Sequence, residues 1–259
     1  MSSLESWFAQ VPLLLLIAVR IGALLFVAPC FASRLIPPAL RVWLSLMVAV
    51  LLLPVAGAGV TVPSDPLGLA LLAAREAAMG VLIGLAVQVV ISAAQYGGRL
   101  AGAQIGFGFA ASVDPSFGEQ EVILDRLHDL LAVTLFVTTG AHRVVLAGLA
   151  RSYTIVPVGH AQFSGRIAEA FLALFGNSVV IAVQIAAPVV ASVILAELAM
   201  ALLSRSVPQF NLFSVGFGVR IVVGIVVAAL ALPATLALIQ RTLIAVPNTV
   251  DGLVAALAH

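Results

Sequence analysis

The segment EVILDRLHD, residues 121–129, holds the side chains of this sequence that are best suited to chemistry. On a helix, Glu121, Asp125, His128 and Asp129 share one face because they follow the three- and four-residue spacing of helical turns. A histidine beside carboxylates can bind a metal, relay protons or form an ion-paired interface. The pattern is too loose to define a metal site, so we favour the ion-paired interface.

No motif elsewhere in the sequence supports catalysis. The chain lacks a nucleophile elbow, an HExxH pair and a phosphate-binding glycine loop. His142 and His160 have no partners at a recognisable spacing. We therefore predict that the protein is not an enzyme and that it uses no metal and no other cofactor.

A second unusual segment, GAQIGFGFAASVDPSFGEQE at residues 102–121, interrupts an almost continuously apolar sequence. Each glycine within it weakens a helix by roughly 1 kcal/mol relative to alanine, and the step from Asp114 to Pro115 favours a turn. Ser116 and Glu119 then form a capping-box pattern, which is typical of the start of a helix. The sequence thus predicts a non-helical stretch followed by a new helix.

The phenylalanines of this segment are open to two interpretations. Gly106, Phe107, Gly108 and Phe109 could form a loop whose aromatic rings fold back on the core. At membrane depth, however, non-helical backbone is stable only when it is buried in protein or lines a cavity. Phenylalanines on a flexible backbone could close a pore there by excluding water. The GFG sequence at residues 216–218 repeats the theme in the C-terminal half.

Composition places all of these residues in a membrane protein. The chain of 259 residues is 63% hydrophobic and 9% charged, with a mean hydropathy of +1.22. Soluble domains carry roughly 25% charged residues, so this chain cannot cover a water-facing surface. We predict an all-α integral membrane protein with a single domain over residues 1–259, in contact with membrane lipid. The formal net charge of +1 gives no indication of nucleic-acid binding.

Several apolar stretches approach the ~20 residues that a spanning helix needs. The fourth is only about half that length, and the fifth contains Pro188, which is expected to kink or break a helix. If six spans cross the membrane in alternating directions, arginines fall in loops on both sides, whereas basic loop residues are expected on the cytoplasmic side only. Either the count is wrong by one span or packed neighbours replace lipid around the helices, which we favour. The six stretches are Trp7–Phe31, Val42–Val60, Ala77–Ala94, Leu130–Ala141, Ala170–Ala196 and Ile221–Gln240.

Charged residues inside the apolar stretches require partners. Arg20 lies near the middle of the first stretch, where an arginine facing lipid costs about 3 kcal/mol. The Arg-Glu pair at residues 75–76, Glu197 and Arg205 interrupt other apolar regions. A chain with so few charged residues offers few partners of opposite charge, and we therefore expect these residues to pair with charges of other subunits. Pro208, close to Arg205, is predicted to shape a subunit contact or a helix break.

Five motifs, in order along the chain, resemble landmarks of the FliR family, which is a component of the type III secretion export gate. The resemblance extends over residues 13–241. No single motif is catalytic, but the ordered set is specific. The motifs are RIGALLFVAP with IPPALR (residues 20–41), GAQIGFGFAASVDP (102–115), DLLAVTLFVTTGAH (129–142), SYTIVPVG (152–159) and LSRSVPQFNLFSVGF (203–217).

The resemblance implies a subunit of the flagellar export gate in the bacterial inner membrane, at the flagellar basal body. Its implied partners are homologues of FliP, FliQ and FlhB, and the unfolded flagellar proteins that are exported. Family helices form tilted, broken hairpins in a helical assembly, much of it raised out of the membrane plane. The family's plug loop matches residues 102–115, so the resemblance assigns Asp114 and Pro115 to the plug together with the glycines and phenylalanines.

Two alternatives remain open at this point, one within the same function class and one outside it. The injectisome homologue of the same export apparatus is a close alternative. A small-solute transporter with broken helices around a central site is a more distant one. An intramembrane enzyme would lack candidate residues.

Overall fold

The computed structural model describes residues 3–29, 31–32, 36–57, 62–63, 65–107, 123–206 and 212–258. Over these ranges the chain forms helices and no strand, which confirms the predicted all-α class. The helices are α1 (Ser3–Val27), α2 (Pro38–Ala56), α3 (Pro66–Ile105), α4 (Ile123–Thr138), α5 (Ala141–Ile155), α6 (Gly165–Ser206) and α7 (Leu212–Leu257).

Most of these helices are long and apolar enough to cross a membrane. By length and composition, α1, α2, α3, α6 and α7 qualify, which makes five among the described residues. The number rises to as many as six if α4 and α5 are counted together as one broken span. The chain is therefore a helical integral membrane protein, as its composition predicts.

The break between α4 and α5 corrects the fourth predicted stretch. We expected one short apolar segment over Leu130–Ala141, whereas α4 ends at Thr138 and α5 begins at Ala141. Gly140 between them has a φ of +73°, in the left-handed region that glycine adopts without strain. Two helices of ordinary length thus replace the single short span that the sequence predicts.

Three helices are longer than the sequence predicts. Residues 102–105, expected to be non-helical, form the last turn of α3, and α7 begins at Leu212, nine residues before the predicted stretch Ile221–Gln240. Pro188 lies inside α6 and does not end it. Intrinsic propensity is a weak guide here, because packing of the apolar faces contributes most of the stability of a helix.

The chain divides into two compact units, and α3, α6 and α7 contribute residues to both. The first unit contains Met1–Val89, Gly140–Phe175 and Ile244–His259, and the second contains Val90–Thr139 and Gly176–Leu243. The single domain over residues 1–259 stays a prediction.

The core of the first unit is built on one face of α1. Its buried positions recur every three or four residues, as on the apolar stripe of a helix that packs against neighbours. Within this unit α1 packs against α2, and α2 contacts α5. The buried positions of α1 are Leu13, Leu16, Ile17, Ala18, Arg20, Ile21, Leu24 and Leu25.

The core of the second unit lies where the C-terminal end of α3 meets α4, α6 and α7. The buried side chains are small or β-branched apart from one leucine, which allows the helix axes to approach closely. The cluster consists of Ala101, Ile105, Leu124, Ala186, Val189 and Val193, with Val190, Ile221, Val227 and Ala228 packed against it.

Candidate functional site: the loop base and two ion pairs

The last turn of α3 ends in a Schellman motif, which fixes where the glycine- and phenylalanine-rich segment begins. Gly106 has a φ of +97°, and its N–H donates to the Ala103 carbonyl at 3.1 Å. The N–H of Phe107 donates to the Gly102 carbonyl, also at 3.1 Å. These two bonds satisfy carbonyls that a helix end leaves unpaired.

Phe107 is directed by this motif onto the apolar core of the second unit. Its half-buried ring packs against the cluster that includes Ile105 and Val193. A hydrophobic contact from the second residue after the helix commonly accompanies a Schellman motif. Of the two interpretations of the predicted loop, folding back on the core therefore applies to Phe107.

The two glycine-phenylalanine stretches of the sequence come together at this point. Phe217 of α7 lies beside Gly106: its Cε2 atom is 3.1 Å from the position that a Cβ atom on Gly106 would occupy. The Arg220 Cδ atom, one turn further along α7, is 3.8 Å from the same position. We define the loop base as Gly106 and Phe107 of the chain leaving α3 together with Phe217 and Arg220 of α7.

Gly224 brings α7 against the end of α3. A Cβ atom at this position would lie 2.3 Å from the Ile105 Cγ1 atom, which is closer than atoms can pack. Only a residue without a side chain allows this approach. Phe217, Arg220 and Gly224 are spaced by three and four residues, so one face of α7 meets the end of α3.

An ion pair joins this face of α7 to α6. The Arg220 Nη2 atom contacts the Glu197 Oε1 atom, and both side chains are about one-third exposed. The Arg220 Nε atom is buried and has no hydrogen-bond partner among the described residues. The sequence predicts Glu197 at a subunit interface, and its ionic partner in this unit is a residue of the same chain.

A second ion pair, between Arg20 and Glu76, lies in the core of the first unit. Both side chains are completely buried. Arg20 Nε donates to Glu76 Oε2 at 2.5 Å, and Nη2 donates to Oε1 at 3.0 Å. This bidentate geometry matches the planar guanidinium to the carboxylate and gives the strongest class of protein hydrogen bond.

The other donors of Arg20 reach the end of α5. Nη1 donates to Ser152 Oγ at 3.1 Å and to the Val156 carbonyl at 3.2 Å, and Nη2 donates to the same carbonyl at 3.3 Å. A guanidinium has five N–H donors, and these five bonds use all of them. The guanidinium also lies 4.1 Å from the centroid of the Tyr153 ring, within the range of a cation–π contact.

Glu76 is also held from the segment that follows α5. The Gly159 N–H donates to Glu76 Oε1 at 2.8 Å, and the neighbouring Arg75 donates to the Gly159 carbonyl at 3.3 Å. The expectation that Arg20 needs a mate from another subunit is therefore wrong. Its partners lie 56 to 136 residues away in the same chain, and that separation leaves no local signal in the sequence.

The remaining sites predicted from the sequence fall into two groups. Arg205 is exposed at the C-terminal end of α6, and its assignment to a subunit interface stays a prediction. The others lie outside the described residues and also stay predictions; they are Gly108, Phe109, Asp114, Pro115 and Pro208.

Three residues of the chemical cluster, Asp125, His128 and Asp129, are engaged separately on α4, and Glu121 lies outside the described residues. Asp125 accepts hydrogen bonds from Arg99, the nearer at 2.8 Å, and Asp129 accepts one from Gln95. The Nδ1 atom of His128 lies 2.7 Å from the Leu124 carbonyl of its own helix. Among the described residues no group of three or more such side chains could hold a metal ion. This arrangement agrees with the ion-paired interface, which here joins α3 to α4.

Sequence reasoning missed Arg220, Ser152 and Tyr153. Arg220 follows the second GFG sequence by two residues, and a single charge at the start of a long apolar helix could have identified it. Ser152 and Tyr153 open one of the motifs that carried the family resemblance, but nothing in their local sequence shows that Arg20 is their partner.

The family model described as "Bacterial export proteins, family 1" matches residues 11–245 of this chain. This range includes α2 to α6 entirely, both residues of each ion pair and the whole loop base. The fold and the matched range together define a helical membrane protein of a bacterial export family.

Similar proteins carry more specific names. The chain is 29% identical to the flagellar biosynthetic protein FliR of Bacillus subtilis (strain 168) over 251 residues, which cover 94% of this chain and 95% of that protein. It is 32% identical to FliR of Pectobacterium carotovorum subsp. carotovorum over 218 residues, or 83% and 82% of the two chains. Yop proteins translocation protein T of Yersinia pestis is 29% identical over 160 residues, 60% of each. The chain therefore belongs to the FliR family of bacterial export proteins.

Proposed function

We propose that this chain is a subunit of the flagellar type III protein export gate and that residues 102–115 are the plug of its channel. The observation that carries the first part is the similarity to proteins named FliR along nearly the whole chain, 94% of it in one case. A match of this extent includes the transmembrane helices, the loop base and both ion pairs. It is not confined to a module that unrelated proteins share.

The geometry of the loop base supports the second part. A plug must be held firmly at one end while its central residues block the channel. The Schellman motif at Gly106 and the packing of Phe107 on the core provide such an attachment. Phe107 then serves as the anchor of the plug. The blocking role belongs to the residues that follow it, beginning with Gly108 and Phe109.

A plug of this composition works through exclusion of water. Apolar side chains at a narrow constriction make hydration unfavourable, so ions do not pass even where a gap is left. Glycines beside the phenylalanines allow the backbone to move aside when an unfolded polypeptide enters. The plug requires no catalytic residue, in keeping with our proposal that the chain has no enzymatic activity.

Exposed apolar surface supports membership of a larger assembly in the inner membrane. Many large apolar side chains of α2, α6 and α7 are more than half exposed, among them Trp43, Leu51, Leu195 and Leu230. Such surface requires lipid or other hydrophobic chains. The proposed partners are the homologues of FliP, FliQ and FlhB, with the flagellar proteins as the exported substrates.

The injectisome is the second candidate setting for the same function. The similarity to a Yersinia pestis translocation protein favours it, although that match covers 60% of this chain. The more extensive matches to FliR proteins favour the flagellar setting.

Deletion of the gene, followed by complementation, tests the proposed function. We expect the deletion strain to lose secretion of hook and filament proteins, and the full-length chain to restore it. The tagged chain should also co-isolate with other hydrophobic export-gate subunits from membranes. Normal flagellar export together with defective uptake of a small solute would contradict the proposal and support a transporter. Loss of virulence-protein secretion alone would place the chain in an injectisome.

A further inference from the structure

The loop base contains one side chain, that of Arg220, which makes contacts in two directions. The aliphatic part of Arg220 lies against Gly106, with Cδ 3.8 Å from the position of a Cβ atom there. Its guanidinium is held by Glu197 of α6. Arg220 thus contacts Glu197 of α6 through its guanidinium and Gly106, the first residue after α3, through its aliphatic part.

Phe217 shares this arrangement. It lies three residues before Arg220, on the same face of α7, and approaches Gly106 to 3.1 Å. The ring is about two-fifths exposed, so packing encloses it only in part. An interaction that holds this turn of α7 close to α6 also holds the Phe217 ring close to Gly106.

We propose that the Glu197–Arg220 ion pair positions Phe217 and Arg220 against Gly106 and thereby fixes the start of the plug. The inference rests on the proposed function of residues 102–115. Neutralising either charge releases Arg220, loosens the contact of Phe217 with Gly106 and exposes Phe107. The closed channel then leaks because its plug is no longer held firmly at its attached end.

A purely structural role would have different consequences. If the pair only joined α6 to α7, its loss would lower the yield of assembled complex and leave the loop base unchanged in the complexes that remain. The accessibility of Phe107 in assembled complexes separates the two roles, because it reports on the loop base itself.

The experiment uses thiol labelling in the full chain within its complex. Cys30, the single cysteine of the sequence, is replaced by serine, and Phe107→Cys introduces a reporter at the loop base. The rate of maleimide labelling is then measured in purified complexes that carry Glu197→Gln, Arg220→Gln or the exchange of the two charges, E197R with R220E. Arg241→Gln, which removes an exposed arginine from the same helix, is the matched control.

We expect each single substitution to raise the labelling rate roughly two- to five-fold, the range that a partly exposed ion pair supports. The charge exchange should return the rate toward that of the reporter chain, and Arg241→Gln should leave it unchanged. An unchanged rate in both single variants, or a charge exchange no slower to label than they are, would overturn the proposal.

Entry of a small dye into cells connects this positioning to function. With Phe107 retained, Arg220→Gln should admit dye at a rate between those of the unaltered chain and a deletion of residues 110–112. If the deletion leaks and Arg220→Gln does not, the positioning proposal fails while the plug stands. If labelling responds to the ion pair but the deletion stays tight, the positioning is supported and the plug assignment fails.

Discussion

The Arg20–Glu76 and Glu197–Arg220 ion pairs differ in how completely their charges are satisfied. Arg20 and Glu76 are wholly buried, and all five N–H donors of the arginine are used. Arg220 and Glu197 are about one-third exposed, and the Arg220 Nε atom has no hydrogen-bond partner in the described part of the chain. The same two residue types thus form a permanent core element in one unit and a weaker contact in the other.

The difference shows what each pair can do. Separating a buried pair leaves an uncompensated charge at low dielectric, which costs several kcal/mol, so Arg20 and Glu76 are not expected to part in the folded protein. Separating a partly exposed pair costs about 1 kcal/mol or less, because water replaces the lost partner. Glu197 and Arg220 can therefore separate at a much lower cost in free energy than Arg20 and Glu76.

The largest expected effect is the loss of one partner from the buried pair. Arg20→Leu or Glu76→Leu should destabilise the protein by about 3–5 kcal/mol, since the remaining charge stays buried and unpaired. Replacing both residues, as Arg20→Met with Glu76→Leu, should recover much of that loss. The measurement is thermal unfolding of the purified complex in mild detergent. Single variants as stable as the unaltered chain would remove the contrast between the two pairs.

Close packing of α7 against the end of α3 should give the next largest effect. Gly224→Val places a branched side chain where a Cβ atom would already lie 2.3 Å from Ile105, and overpacking of this kind costs about 1–3 kcal/mol. The matched control is Gly218→Val, because a Cβ atom at Gly218 meets nothing within 4 Å. Melting temperatures of the two variants should differ by several degrees, and equal values would show that α7 does not approach α3 as described.

A smaller effect is expected at the helix end itself. Gly106→Ala imposes a left-handed conformation on a residue with a Cβ atom, which costs roughly 1–2 kcal/mol, and the new methyl group lies 3.1 Å from Phe217. Gly252→Ala, in an open helical position, should be neutral or slightly stabilising. Chemical denaturation of the two variants sharpens the comparison, and a neutral Gly106→Ala would argue against the Schellman motif.

The smallest effect concerns the ion pair between Arg151 and Asp251, which is more exposed than the Arg20–Glu76 and Glu197–Arg220 pairs. Arg151 and Asp251 lie 3.2 Å apart, with side-chain exposures of 52% and 41%. Arg151→Gln should cost about 1 kcal/mol or less, and the difference should vanish at high salt. Unfolding measured at low and high ionic strength checks this. A loss of stability as large as that caused by Arg20→Leu would show that the exposure of an ion pair does not determine its contribution to stability.

The helical class and the membrane location could be predicted because they depend on composition. Helix ends were harder, since the apolar stretch Ala77–Ala94 covers less than half of α3 (Pro66–Ile105). The pair at residues 75–76 suggested a boundary. In the fold, however, Glu76 is buried against Arg20 and the helix continues through it. A charged residue in an apolar stretch therefore does not mark the end of a helix when a residue of opposite charge from another helix pairs with it.

The candidate site was predictable in type and only partly in geometry. The glycine and phenylalanine content of residues 102–121 indicated the loop. The meeting of Gly106 with Phe217, 111 residues later in the chain, depends on long-range packing that no local pattern encodes. We expected charged residues in the apolar stretches to pair with other subunits. This was wrong for Arg20, because distant segments of the same chain supply its partners.

The most direct test of the plug is leakage through the assembled gate at rest. Residues 110–112 are deleted, assembly is verified by co-isolation of the other gate subunits, and entry of ions or a small dye is measured in cells that export nothing. The plug assignment predicts normal assembly with a clear increase in entry over cells that carry the unaltered chain. A membrane that stays as tight as before, with the deleted chain fully assembled, would contradict it and leave residues 106–115 as part of the connection between α3 and α4.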